Sequence, residues 1–107
     1  MTAARERLAD RRNHWLYRFE SGDQHFTGGI GRFADGRIAE VFINGSKAGS
    51  AAEANAQDAA IIASLALQHG CPVDTIRHAL TRNGSVGGPL ATLLTEVERQ
   101  SAESGRS

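Results

Sequence analysis

The chain has 107 residues with 12 basic and 12 acidic side chains, so it is long enough for one domain and carries no basic excess of the kind that general nucleic-acid binders show. Its single cysteine excludes an internal disulfide and a cysteine-based zinc site, and fits a reducing compartment. The longest apolar run, residues 59–67, is too short for a membrane span, which needs roughly 20 residues, and the charged amino terminus does not resemble a signal peptide. We therefore expect a cytoplasmic protein.

The first segment, residues 1–13, is charged and weakly patterned. It contains four arginines, which are Arg5, Arg7, Arg11 and Arg12. A mobile arm or a short helix explains such a segment. The alternative is an arginine-rich arm that binds an acidic partner or a phosphate. We expect this basic arm to precede a single domain over residues 14–99.

Three strands are predicted next. From residue 14 the side chains alternate with period two, and the three aromatic residues Trp15, Tyr17 and Phe19 fall on one side, as in a strand. Turn residues follow at 21–23. A second extended stretch covers residues 24–33, and its three glycines indicate a bulge or the close approach of another backbone.

The dipeptide at residues 35–36, Asp-Gly, predicts a type I′ hairpin turn. A third strand is expected over residues 37–44. Its Ala39, Val41 and Ile43 face one way, and apolar Ile38 and Phe42 face the other. These segments predict a three-stranded antiparallel meander.

Helical periodicity begins after the third strand. Ser50 and Glu53 have the spacing of a capping box, and residues 51–69 are so rich in Ala and Leu that we expect a helix buried on most sides. Gly70 and Pro72 end it, and a second helix is expected over residues 72–81. A glycine-rich loop at 83–88 connects it, as a flexible link or a cover for a ligand, to a third helix.

The third helix begins at Pro89 and presents one apolar stripe. The stripe has i, i+3, i+4 and i+7 spacing and consists of Leu90, Leu93, Leu94 and Val97. Residues 100–107 are predicted to be a frayed tail. The fold class is therefore α+β, with a meander followed by a long buried helix and two shorter helices.

One sheet face has no predicted helix to cover it. The first helix should pack across the other face, which cannot also take Trp15, Tyr17, Phe19, Ile38 and Phe42 together. We expect a copy of the chain or a partner protein to bury part of the uncovered face, and assign Trp15, Tyr17 and Phe42 to that partner surface. A homo-oligomer, most simply a dimer, is predicted.

The most informative segment is the loop that joins the third strand to the long helix. Free amides, the positive end of the helix dipole and one ammonium could together hold an anion there, such as a nucleotide phosphate. The candidate ligands are Asn44, Gly45, Ser46, Lys47, Gly49 and Ser50, with Glu40 and Glu53 in support. The spacing does not match a P-loop. The alternative is a plain strand-to-helix turn with a good N-cap.

Catalytic and metal chemistry find no support. His14, His25, His69 and His78 lack the spacing of a metal site. Cys71, before Pro72, is more simply a small residue at a tight junction than a nucleophile. We name no catalytic residue, no metal site and no cofactor.

The motifs resemble those of the TSCPD domain family over about residues 7–98. The matching runs are RLADRR at 7–12, GRFADGRIAEVFING at 31–45, KAGS at 47–50, SLALQHGCP at 64–72 and IRHAL at 76–80. Members of this family form the carboxyl-terminal part of adenosylcobalamin-dependent ribonucleotide reductases and also occur as free-standing bacterial proteins. The cysteines that suggest zinc binding in the reductase-linked members are absent at residues 27–30 and 82–85, so metal binding is not carried over.

The resemblance implies an accessory or regulatory module in DNA precursor synthesis. It would bind a ribonucleotide reductase-like protein, or a nucleotide, through the loop at residues 44–50. A reductase label would express kinship, because the radical cysteines of those enzymes belong to a separate barrel domain. The alternative is a single-stranded nucleic-acid-binding module that uses the aromatic strand face and the arginines of the arm. A small enzyme is a third class, without an identifiable catalytic group.

Overall fold

The computed structural model describes residue 5, residues 14–82 and residues 87–104. It contains a three-stranded sheet followed by three helices, which confirms the α+β fold class. The elements are β1 (His14–Ser21), β2 (Gln24–Arg32), β3 (Ile38–Gly45), α1 (Ala51–Gln68), α2 (Val73–Leu80) and α3 (Pro89–Ser104).

The sheet is an antiparallel meander with strand order β1-β2-β3. Gly22, at φ +62°, allows the tight first turn. The second turn differs from the predicted type I′ hairpin, because it has three residues: the Phe33 amide donates to the Arg37 carbonyl (2.8 Å), and the Gly36 amide donates to the Phe33 carbonyl (2.9 Å). Gly36 takes φ +96°, which fits the left-handed position of such a three-residue loop.

The core lies between one face of the sheet and helices α1 and α3. Its members come from all three strands and both helices: Tyr17, Phe26, Ile30, Val41, Ile43, Ala56, Ala60, Ala63, Leu90, Leu93, Leu94 and Val97. The predicted stripe of α3 is therefore confirmed. Gly28 permits this packing, since a Cβ there would lie 2.7 Å from Leu93 Cδ1.

Helix α1 also lies along the outer edge of β3, where side chains take the place of a fourth strand. Ser64 Oγ accepts from the Val41 amide (2.9 Å) and donates to the Val41 carbonyl (3.1 Å). Gln68 Nε2 donates to the Ala39 carbonyl (3.0 Å), and Glu53 Oε2 accepts from the Gly45 amide (3.0 Å). These bonds satisfy main-chain groups that a sheet edge otherwise leaves open.

The prediction that α1 is buried on most sides is wrong. Within the part of the chain that the structure describes, the buried residues of α1 all lie on one side of the helix: Ala56, Ala60, Ala63, Leu67 and Gln68. Ile61 and Ile62 remain 58% and 66% exposed, and Leu65 remains 39% exposed. Apolar residues on all sides of this helix therefore do not mean that all of its sides are packed against other elements.

The carboxyl-terminal helices pack as a pair beside the core. Arg77 of α2 donates to Glu98 of α3 (2.9 Å) and to Asp74 (2.7 Å). Helix α3 continues to Ser104, four residues beyond the predicted start of the frayed tail, because no Gly or Pro interrupts it before Gly105.

Several predicted segments fall outside the described residues. They are the arm at residues 1–13 apart from residue 5, the loop residues 83–86, and residues 105–107. Among the described residues, no helix combines the length and apolar character that crossing a membrane requires.

We predict that Ser64→Ala lowers the free energy of unfolding by about 1–3 kcal/mol, because it leaves the amide and carbonyl of Val41 without their partner. Denaturant unfolding monitored by circular dichroism measures this loss. Thr95→Ala is the matched control, since it also removes a helical hydroxyl but from an exposed position on α3. Equal midpoints for the two variants would contradict the edge role of Ser64.

Candidate functional site: the strand-to-helix loop and the open sheet face

The loop after β3 turns directly into α1. Gly49 takes φ +79°, and Ser50 follows as the N-cap in extended conformation, with φ −75° and ψ 157°. Ser50 Oγ accepts from the Glu53 amide (3.1 Å), as a Ser N-cap should. The predicted start of the helix is confirmed.

Glu53 does not close the predicted capping box. Its Oε1 accepts from the Gly49 amide (2.9 Å) and its Oε2 from the Gly45 amide (3.0 Å). The Ser50 amide, which a capping box would pair with this carboxylate, donates to the Lys47 carbonyl (3.3 Å). The carboxylate therefore fastens both ends of the loop instead of the cap residue alone.

The bonds of Glu53 reduce the capacity of the predicted anion site to bind an anion. A carboxylate in the first turn of α1 already occupies two of the amide donors of the predicted site, those of Gly45 at the end of β3 and Gly49 before the helix. The Ser46 amide is also engaged, because it donates to the His25 carbonyl (3.0 Å). A second anion would meet the negative charge of Glu53 and fewer free donors.

The remaining predicted ligands do not converge on this loop. Lys47 is exposed, and the Asn44 side chain accepts from Gln57 on α1 (3.1 Å). Glu40 is buried on the sheet face away from the helices, where a Cβ on its cross-strand neighbour Gly31 would lie 2.5 Å from Glu40 Oε2. Glu40 and Glu53 therefore do not form a supporting pair.

The three residues assigned to a partner surface do not share one surface. Tyr17 is 8% exposed and belongs to the core, so it is removed from that assignment. Trp15 is 48% exposed and lies on the same side of β1 as Tyr17, two residues away. Phe42, 43% exposed, lies on the opposite sheet face. Period-two alternation fixed which residues share a face, but not which face the helices cover.

An apolar row crosses the face that the helices leave open. The register aligns Leu16 on β1 with Gly29 on β2, and Gly29 with Phe42 on β3. A Cβ on Gly29 would lie 3.1 Å from Leu16 Cδ2 and 3.6 Å from Phe42 Cδ2, so the two side chains close over the glycine. Leu16 is 75% exposed.

The row continues onto α1. Ile61 borders a groove of about 420 Å³ that Leu16 and Phe42 also line. We call Leu16, Phe42 and Ile61 the open-face patch. Exposed apolar side chains that lie together in this way mark sites of protein contact more often than isolated ones do. Leu16 and Ile61 are not among the predicted site residues, although the period-two alternation of β1 puts Leu16 on the face opposite Trp15 and Tyr17.

A second cavity, of about 440 Å³, lies at the other end of α1. Its lining includes Leu67, Cys71 and Arg37. Arg37 stacks over the Phe33 ring (4.6 Å to the centroid) and pairs with Asp35 (2.7 Å). The hydrogen bonds from Arg37, main chain first and then side chain, hold the pKa of Asp35 below its usual value. The guanidinium is thus already engaged by a carboxylate and a ring.

Comparison with known proteins gives one family. The model of the TSCPD domain matches residues 5–101. The vitamin B12-dependent ribonucleotide reductase of Agrobacterium fabrum (strain C58 / ATCC 33970) is 38% identical over 77 residues, which are 72% of this chain and 6% of that protein. The enzyme of the same name from Bradyrhizobium diazoefficiens is 35% identical over 77 residues, with the same shares. The chain thus matches only a small part of these relatives. No solved structure matches.

We predict that Glu53→Ala exposes the amides of Gly45 and Gly49 and creates the anion site that the native carboxylate fills. Inorganic phosphate should then raise the melting temperature of the variant more than that of the native chain, measured by thermal shift at constant ionic strength. Ser50→Ala is the control, because it removes the N-cap and leaves Glu53 in place. A phosphate response that is the same in all three proteins would contradict this interpretation.

Tyr17 generates a second prediction. Its hydroxyl is buried without a hydrogen-bond partner among the described residues, and burial raises its pKa above the ordinary value. Tyr17→Phe removes a buried polar atom and keeps the ring, so the free energy of unfolding should stay equal or rise by up to about 1 kcal/mol. Denaturant unfolding at neutral pH measures it. A loss of more than about 1 kcal/mol would show that the hydroxyl has a stabilising partner.

Proposed function

The chain belongs to the TSCPD domain family, and we propose that it is a non-catalytic accessory module that binds a ribonucleotide reductase-like protein through its open-face patch. The relatives support the choice of partner, since each is a vitamin B12-dependent ribonucleotide reductase that contains a segment similar to this chain. A module of this kind would serve DNA precursor synthesis in the cytoplasm.

The observation that carries the proposal is the open-face patch. Leu16, Phe42 and Ile61 are 75%, 43% and 58% exposed, and they line one groove. Asn44 and Gln57, which bond to each other, border the same groove. A small apolar centre with polar side chains at its margin is the usual composition of a protein–protein contact.

A protein partner is favoured over a nucleotide because of the loop geometry. Three amides of the loop already have partners: those of Gly45 and Gly49 bond to Glu53, and that of Ser46 bonds to the His25 carbonyl. What supports the nucleotide alternative is the exposed Lys47. A nucleotide at this loop would depend on that ammonium for opposite charge, which is a weak and salt-sensitive contact on an exposed surface.

The single-stranded nucleic-acid alternative loses its stacking surface. Bases stack on aromatic side chains that share one face, whereas Tyr17 is buried and Phe42 lies on the other side of the sheet from Trp15. The arginine-rich arm lies mostly outside the described residues and adds no argument.

The proposal predicts that Phe42→Asn weakens binding to a purified reductase-like enzyme of the same cell by at least about tenfold. The reason is that the complex would lose an aromatic side chain that becomes buried at its interface. Ile61→Asn should act in the same direction. Isothermal titration calorimetry with the intact enzyme measures both dissociation constants.

The matched control is Ile62→Asn, which changes an equally apolar and exposed residue of α1 that does not line the groove. It should bind like the native chain. Equal affinity of all variants would reject the open-face patch, and absence of any complex would reject the reductase-like partner. A thermal shift with deoxynucleotides that disappears in Lys47→Ala would instead support the nucleotide alternative.

A further inference from the structure

The two edges of the sheet differ in the hydrogen bonds that their outward main-chain groups form. On β3, side chains of α1 bond to the main chain of Ala39, Val41 and Gly45. These residues alternate along the strand, so they are the ones whose amides and carbonyls point away from β2. The other edge is β1, the first strand in the order β1-β2-β3.

The same alternation identifies the outward residues of β1. Glu40, Phe42 and Asn44 point toward β2, and their cross-strand partners on β2 are Gly31, Gly29 and Thr27. The intervening residues of β2 must therefore bond to β1. Their β1 partners are Trp15 opposite Ile30, Tyr17 opposite Gly28 and Phe19 opposite Phe26.

The main-chain groups of Leu16, Arg18 and Glu20 consequently point away from the sheet. Among the described residues, no main-chain hydrogen bond of a turn, loop or cap involves these three. They are exposed at the side chain as well, and Leu16 is the most exposed large apolar residue of the described chain. Natural sheets normally shield such an edge, because it can pair with another strand.

Arg18 and Glu20 make the charges of this edge complementary to those of the same edge in a second copy. Arg18 and Glu20 are two residues apart, so they project from the same face of β1. If a second β1 runs antiparallel beside the first, with Arg18 opposite Glu20 of the other copy, the two-fold axis creates the same pair twice. Each charge then has an opposite charge across the strands, whereas a register shifted by one pair would place Arg18 against Arg18.

We propose that the β1 edge is the docking site for a second copy of this chain, so that two meanders join into one six-stranded sheet. The pairing is antiparallel and sets Arg18 opposite Glu20 of the second copy. Phe19 then faces Phe19 of the second copy across the axis, on the helix side of the sheet. This inference does not depend on the proposed binding of a reductase-like protein.

The arrangement does not place the second copy over the open-face patch. In a continuous antiparallel sheet the two-fold axis runs perpendicular to the sheet, so both copies present their open faces on the same side. Leu16 lies beyond the paired charges, near the glycine turn of the second copy. A Cβ on Gly22 there would meet no described residue within 4 Å apart from its two neighbours in the chain. The dimer would therefore present two patches side by side.

The test is a charge exchange followed by sedimentation equilibrium over a concentration series. The native chain should be in monomer–dimer equilibrium. Arg18→Glu and Glu20→Arg each replace two attractive cross-strand pairs by two repulsive ones, so each should lower the association constant at least about tenfold. The double variant R18E/E20R restores opposite charges and should recover dimerisation. Circular dichroism establishes that every variant is folded.

Three results would overturn the inference. The first is a native chain that stays monomeric at every concentration, as expected if the edge receives a foreign strand or none. The second is a dimer that single reversals do not weaken, or that R18E/E20R does not recover. The third is a dimer that Ile61→Asn abolishes, since that would place the contact on the open face. Retention of the dimer in Ile61→Asn supports the β1 edge.

Discussion

The contact between α1 and the outer edge of β3 determines most of the rest of the structure. Ser64 forms two hydrogen bonds with Val41, and Glu53 and Gln68 hold the ends of the same strand. Main-chain groups at a sheet edge must be paired or left in water, so a helix that supplies the partners is fixed in both position and rotation. Because this rotation points Ala56, Ala60 and Ala63 at the core, it also points Ile61 and Ile62 away from it.

The same contact decides what the loop before α1 can bind. The carboxylate of Glu53 accepts hydrogen bonds both from the amide of Gly45 at the end of β3 and from the amide of Gly49 in the loop. A chain that uses its own carboxylate in this way stabilises the turn but reduces its attraction for phosphate. Surface available for a ligand therefore shifts from the loop to the open face of the sheet, where Leu16 and Phe42 meet over Gly29.

The sequence predicted the parts of this fold that depend on local periodicity. Alternation in β3 placed Val41 and Ile43 on one face of the strand, and the stripe of α3 identified Leu93 as inward-facing. The spacing of Ser50 and Glu53 identified Ser50 as the N-cap. The sequence could not predict which sheet face the helices cover, because Trp15 and Phe42 are equally apolar and only tertiary packing separates them. The exposure of Ile61 escaped prediction for the same reason. The hydrogen bonds of Glu53 could not be predicted either. Its two carboxylate oxygens lie three residues beyond the N-cap and can reach several loop amides, and the path of the loop decides which amides they bind.

The asymmetry of the two edges connects these observations. A three-stranded sheet has only one strand with neighbours on both sides, so its two edges and its uncovered face are large relative to its size. Here the helices satisfy one edge and one face with named bonds and a packed core. The remaining edge carries Leu16 and two opposite charges, Arg18 and Glu20. A chain that engaged the open edge with a second copy would double the open face without covering it. Two open faces side by side would offer a larger protein twice the contact area of one.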